Sequence, residues 1–219
     1  MKKTKYSLSE IQSNLYSAVI SDALDALGYR NQSPRIPLKA LTGIPKLVGR
    51  CKTTLWTDMF HEDPAPYELE LKAVDECKKG EVIIAAASGS VRSGIWGELL
   101  STAARNSGCV GAIVHGAVRD VAKMREMKFP VFGSATSLYD SLNRQRVIDL
   151  DVPVEIDKVI IEPGALVFCD EDGMVVIPLE VEEAAIKNAM EKVNAENITR
   201  EEIKKGMKAT DVYKKYGIL

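Results

Sequence analysis

Two apolar runs constrain the fold of this chain more than any other feature: VIIAAAS at Val82–Ser88 and CVGAIVHG at Cys109–Gly116. Each reads as a buried strand. Between them lie a glycine-containing loop, SGSVRSGIWGE, and a helical segment, LLSTAARNSG, that closes at Gly108. Strand, loop, helix and strand in that order describe a parallel β-α-β unit, since parallel neighbours need a crossover connection.

The flanking segments extend this core. Ser7 and Glu10 form an S-x-x-E capping box ahead of Leu8, Ile11 and Leu15 at helical spacing. A second helix is predicted over Ala18–Leu27, stopped by Gly28, and Pro34, Pro37 and Pro45 mark an irregular crossing segment. Leu47–Trp56 alternates as a strand, and Glu68–Cys77 suits an amphipathic helix. RDVAKMREMKF is a short helix or turn, and PVFGSA returns as a strand. From Val147 short β-type runs joined by turn residues predict an antiparallel or mixed sheet, and residues 180–216 have the 3.6-residue period of charged helices. The expectation is one α/β domain with a helical N-terminus at about 7–28, a core at about 47–178 and C-terminal helices at about 180–216.

Composition narrows the function classes. Of 219 residues, 46% are hydrophobic and 27% charged, the balance of a soluble globular protein. A formal net charge of −2 gives no electrostatic footprint for nucleic acid or a membrane surface. Cys51, Cys77, Cys109 and Cys169 are widely spaced without a CxxC pair, which argues against a zinc knuckle or a disulfide framework. MKKTKYSLSEIQ lacks the apolar stretch of a signal peptide, and no run is long enough to span a membrane, so a cytoplasmic location is expected.

The stretch GELLSTAARNSGCVGAIVHGAVRD carries the candidate chemistry. Glu98 and Arg119 are separated by 20 residues, and Asp120 follows at once. If the intervening helix runs antiparallel to the next strand, both ends of the stretch reach the carboxyl edge of the sheet, where α/β ligand sites lie. Gly89, Gly94 and Gly97 let backbone amides approach a small ligand, and a helix starting after Gly97 aims free N–H groups at an anion. Arg119 adds a planar fork for a carboxylate or enolate, and Asp120 a hard oxygen ligand suited to Mg²⁺ or Mn²⁺, with Glu98 as a second donor through water. On the residues alone, a local Arg-Asp ion pair and two walls of an anion-plus-metal site are both open readings.

Together with ISDALDALG near the start, FPVFGSA, PGALVFCDEDGMVVIP and the terminal DVYKKYGIL, this E-x20-R-D arrangement resembles the family of regulator of ribonuclease activity A and 4-hydroxy-4-methyl-2-oxoglutarate aldolase. The resemblance covers roughly Leu15 to Pro178. It implies a swivelling β/β/α-type fold, assembled as a trimer or dimer of trimers with sites between subunits. It further implies a class II, divalent-metal-dependent lyase that cleaves a 4-hydroxy-2-oxo acid to pyruvate and decarboxylates oxaloacetate. In that reading the amides of Gly97, Glu98, Leu99 and Leu100 bind pyruvate, and Arg119 contacts pyruvate and steadies its enolate. Asp120 ligates the metal, Glu98 holds metal-bound water, and no Schiff-base lysine is needed. The family's other branch implies a non-enzymatic regulator that binds a ribonuclease or helicase. One position departs from the aldolases: where they carry an acid after a glycine in the C-terminal helix, Met207 follows Gly206, with Glu201, Glu202 and Asp211 nearby.

Other candidates read as structural. His115 ends the strand before Gly116, His61 sits in a polar loop, and Asp170–Gly173 fits a turn between strands better than a metal site. Arg92, in the glycine loop, is a candidate reader of a substrate's distal carboxylate, and Trp56 and Trp96 are expected in the core or an interface.

Overall fold

The computed structural model describes residues 3–218; Met1 and Lys2 of the basic N-terminal segment and Leu219 of the terminal motif lie outside them. In chain order the elements are α1 (Leu8–Asn14), α2 (Ser17–Ala26), β1 (Lys39–Ala40), β2 (Leu47–Asp58), α3 (Glu68–Asp75) and β3 (Glu81–Ala86). Next come β4 (Gly94–Trp96), α4 (Glu98–Asn106), β5 (Gly111–Val118), α5 (Val121–Glu126), β6 (Val131–Thr136) and β7 (Gln145–Leu150). The chain ends with β8 (Val154–Ile156), β9 (Val159–Ile161), β10 (Leu166–Cys169), β11 (Met174–Ile177), α6 (Glu182–Lys204) and α7 (Ala209–Tyr216).

One mixed sheet runs in the order β1-β6-β5-β3-β2-β10-β11, with β4 added to β5 and β7 to β2. The parallel heart is β2, β3, β5 and β6, and β10, β11, β1 and β7 join antiparallel. The predicted β-α-β unit is therefore β3-α4-β5, with Val82 opposite Gly111 and Ala86 opposite His115.

Two sequence expectations change. The glycine loop is not wholly irregular: its Gly94–Trp96 segment forms β4, parallel to β5. β2 is also longer than expected and does not alternate between core and solvent, being buried along nearly its whole length. Its polar residues are satisfied internally: Lys52 Nζ reaches Asp151 at 2.7 Å, the Thr53 hydroxyl donates to Val152 O at 2.6 Å and that of Thr54 to Ile84 O at 3.0 Å. Hydrogen bonding of this kind lets a polar pattern occupy a central strand.

The sheet buries both faces. One packs Ile83, Val114, Trp96 and Phe129 beneath the helices, and the other packs Ile84, Ile113 and Phe132 against Val154, Ile156, Val159 and Ile161 of the β8–β9 hairpin. A third cluster joins α1, α2 and α6 through Ile11, Ile20, Leu24, Ile186 and Ala189 to Phe168 and Val175. All four cysteines are free and buried. Among the described residues no helix is long and apolar enough to cross a membrane. Asp170 explains the DEDG turn: its carboxylate accepts the Ser17 N–H at 2.7 Å and hydroxyl at 2.6 Å, capping α2 from across the fold.

Glu182, fully buried at the start of α6, pairs with Arg50 of β2 and accepts the Thr4 N–H at 2.8 Å. Burial works against its charge, but the bonds from Arg50 and Thr4 outweigh it and hold the carboxyl below its ordinary 4.5. Glu182→Ala leaves Arg50 without its partner and is expected to cost about 3–5 kcal/mol, read as a lower urea midpoint. Because the folded carboxyl is the stronger acid, its stabilisation is present above the unfolded value and lost as pH falls through the folded one, so the gap between wild type and variant should close below pH 4.5.

Candidate active site

The site forms where β5 ends and α4 begins. The Arg119 N–H donates to Trp96 O at 2.8 Å, carrying the β4–β5 pairing one step beyond β5. Asp120 then takes a left-handed conformation (φ 56°, ψ 31°), a turn that aspartate tolerates better than most residues. Opposite it, Gly97 precedes α4. A Cβ on Gly97 would lie 2.7 Å from Asp120 Oδ2 and 3.2 Å from Arg119 Cγ, so glycine lets the Asp120 carboxylate stand against the start of α4 without turning aside. At Gly94 a Cβ would lie 2.5 Å from Ser137 O. The Glu98 N–H reaches Asp120 Oδ2 at 3.3 Å, and the Leu99 and Leu100 N–H groups, in the first turn of α4, have no intrahelical acceptor.

These groups border a cavity of about 280 Å³ lined also by Tyr67, Glu70, Leu71, Asp140 and Ser141. Arg119 spans it: Nη1 lies 2.7 Å from Asp140 Oδ2, and Nε 3.8 Å from Asp120 Oδ2. Asp140 Oδ1 also accepts the Tyr67 hydroxyl at 2.6 Å and the Leu142 N–H at 2.8 Å. Burial alone would raise the Asp140 carboxyl, but these donors and Arg119 outweigh it and hold it below the usual aspartate value. Burial, with Asp140 beside it, pushes the Tyr67 phenol up to about 12. Glu70, on the first turn of α3, is pushed up to about 8 by burial and by the negative charge of Asp140, against weaker opposing effects of Ser141 and Arg119.

The structure thus gathers Gly97, Leu99, Leu100, Arg119 and Asp120 around one cavity. Glu98 contributes its backbone there, but its carboxylate accepts the Thr102 hydroxyl at 2.9 Å and lines a separate groove with Arg105 and Lys123, between α4 and α5. Arg92 lies outside the cavity, its guanidinium 4.5 Å from the Phe60 ring. His115 is half-buried on β5, where burial lowers its pKa and its Nδ1 finds no acceptor or donor among the described residues. His61 is exposed, and Met207 lies in the break between α6 and α7. The sequence reading passed over Tyr67, Glu70, Asp140 and Ser141. The signal available for the last two was the loop after β6, which lies beyond the carboxyl end of a parallel strand like the loop carrying Arg119.

Among the described residues no three His, Cys, Asp or Glu side chains gather into a closed metal site. The donor set at Asp120 is a single partly exposed carboxylate whose Oδ1 no protein group engages among the described residues. That set fits Mg²⁺ or Mn²⁺, hard cations that keep several waters and take one or two carboxylates together with substrate oxygens. Among the described residues no lysine lines the cavity.

Comparison with known proteins agrees with this architecture. The family model described as RraA-like, Aldolase/RraA, matches residues 17–176. A 4-hydroxy-4-methyl-2-oxoglutarate aldolase of Thermus thermophilus is 31% identical over 140 residues, covering 64% of this chain and 80% of that protein. Protein DlpA of Legionella pneumophila is 31% identical over 191 residues, 87% of this chain, and the chain spans only 30% of DlpA's length. The crystal structure of Streptomyces coelicolor RraAS2, an unusual member of the RNase ES inhibitor RraA protein family, superimposes with a TM-score of 0.78 at 26% identity, over 91% of this chain and 98% of that one. In sequence and in fold alike, the chain belongs to the RraA-like family, Aldolase/RraA.

Proposed function

We propose that this chain is a divalent-cation-dependent lyase that cleaves a 4-hydroxy-2-oxo acid, such as 4-hydroxy-4-methyl-2-oxoglutarate, to pyruvate and also decarboxylates oxaloacetate. The observation that carries the reading is the meeting of Arg119, Asp120 and the α4 N-terminus in one cavity. A 2-oxo acid presents a carboxylate and a carbonyl side by side. The Leu99 and Leu100 amides, with the positive end of the helix, suit the carboxylate. Arg119, fixed by Asp140, places positive charge where the enolate oxygen develops, and such fixed charge needs no reorganisation during reaction. Asp120 would hold the cation, and the Glu98 carboxylate would accept from its water only on leaving the Thr102 hydroxyl that holds it in the separate groove. The bound cation supplies Lewis-acid polarisation of the 2-oxo group.

Leu99 at the cavity and Leu138 and Tyr139 beside Asp140 are largely exposed, an apolar surface suited to contact with another copy of the chain, and the proposed assembly is a homotrimer or dimer of trimers. The relatedness to an RNase inhibitor family keeps nuclease binding as the competing outcome.

Pyruvate release from oxaloacetate should cease on chelation and return with Mg²⁺ or Mn²⁺, and Asp120→Asn should not be restored by either ion. Arg119→Ala should lower kcat/KM by roughly 10²–10³ fold, the range for removing one donor to a developing oxyanion. The reading fails if the metal-loaded protein releases no pyruvate from either oxaloacetate or the hydroxymethyl acid; specific nuclease inhibition that survives Asp120→Asn would then favour the regulator. Analytical ultracentrifugation should give a multiple of the 24.0 kDa chain divisible by three.

A further inference from the structure

The cavity contains three carboxyl groups whose surroundings differ. Asp120 is open on one oxygen, and Asp140 is taken up by Arg119, Tyr67 and the Leu142 amide. Glu70 has no cationic partner within ion-pair distance among the described residues; it is half-buried, lines the cavity beside Ser141 and is exposed to the negative charge of Asp140. Both neighbours come from the loop after β6, and Arg119 reaches in from the end of β5. On the remaining sides the groups are apolar or already paired. α4 contributes Leu99 and Leu100, and Arg146 of β7 is held 2.9 Å from Asp63.

We propose that Glu70 delivers the proton that turns the pyruvate enolate into pyruvate, an inference that rests on the lyase reading above. When the C3–C4 bond of oxaloacetate breaks, carbon dioxide leaves and the bonding pair passes into the enolate. C3 then takes the Glu70 carboxyl proton: a C3–H bond forms, the Glu70 O–H bond breaks, and the resulting carboxylate regains a proton from water. Retro-aldol cleavage converges on the same step, its C4 hydroxyl proton passing to water. Set against Asp140 and Tyr67, Glu70 has both a proton at neutral pH and the acidity to give it up: Asp140 is ionised there, and the Tyr67 phenol, at about 12, holds its proton too tightly. A value of about 8 matches what proton transfer near neutrality favours.

The reverse step offers the test. Full-length protein with Mg²⁺ is incubated with pyruvate in D₂O, and loss of the methyl proton signal is followed by NMR. Here ionised Glu70 acts as the base, so exchange should climb with pH and level off above about 8. Glu70→Gln should slow exchange roughly 10²-fold and abolish the climb. Glu70→Asp should restore part of the exchange with its pH dependence. Without metal or substrate, infrared difference titration should show a protonated carboxyl band that disappears through about pH 8 and is missing in Glu70→Gln. Wild-type exchange and pH dependence in Glu70→Gln would overturn the inference and leave the lyase reading standing. Joint loss of cleavage and exchange that Glu70→Asp does not restore would also overturn it, marking Glu70 as structural. Absence of cleavage in the wild type would overturn both.

Discussion

The candidate site depends on one close approach, the start of α4 against the end of β5. Trp96 locks it from below: the Arg119 N–H donates to its carbonyl, while its indole N–H donates to Ser101 Oγ at 2.8 Å and Ser101 Oγ donates to Gly97 O at 2.9 Å. The same ring, buried at 2% exposure, stacks on Phe129 with centroids 6.5 Å apart. The position of Asp120 relative to the helix amides is thereby set by core packing rather than by loop geometry. Close-packed interiors resist small displacements, which is what a site for a small, directional ligand requires. Gly97 is the complementary condition, since a side chain there would displace the Asp120 carboxylate from its place against the helix start.

Long apolar runs made the centre of the fold legible. VIIAAAS and CVGAIVHG have no solvated face to spare, so only a covered parallel sheet accommodates them, and the residues leaving their carboxyl ends were natural site candidates. What escaped the reading was held by long-range contacts with weak local signals. The three residues of β4 are too few to show a period, and Lys52, Thr53 and Thr54 lend β2 a polarity that its buried hydrogen bonds cancel. Tyr67 and Asp140 lie 73 residues apart, and nothing local to either marks the pair. Glu98 shows a different limit. Chain position places its amide at Asp120, but the hydroxyl of Thr102, one helical turn on, holds its carboxylate toward the other groove.

Asp140 links the cavity's parts electrostatically. Its donors outweigh what burial costs its charge and hold its carboxyl below the usual aspartate value. That anion has two consequences at once. It holds Arg119 by one nitrogen, leaving other donors of the guanidinium fork for a ligand, and it raises the cost of ionising Glu70 alongside. Positioning a cation and keeping a proton therefore follow from a single, partly exposed charge. Removing that charge would free the arginine and acidify the glutamic acid together, so the two properties cannot be adjusted independently. Tyr67 is what maintains the charge from the opposite wall, through a left-handed cap (φ 64°) that starts α3 and presents the phenol to Asp140 three residues ahead of Glu70.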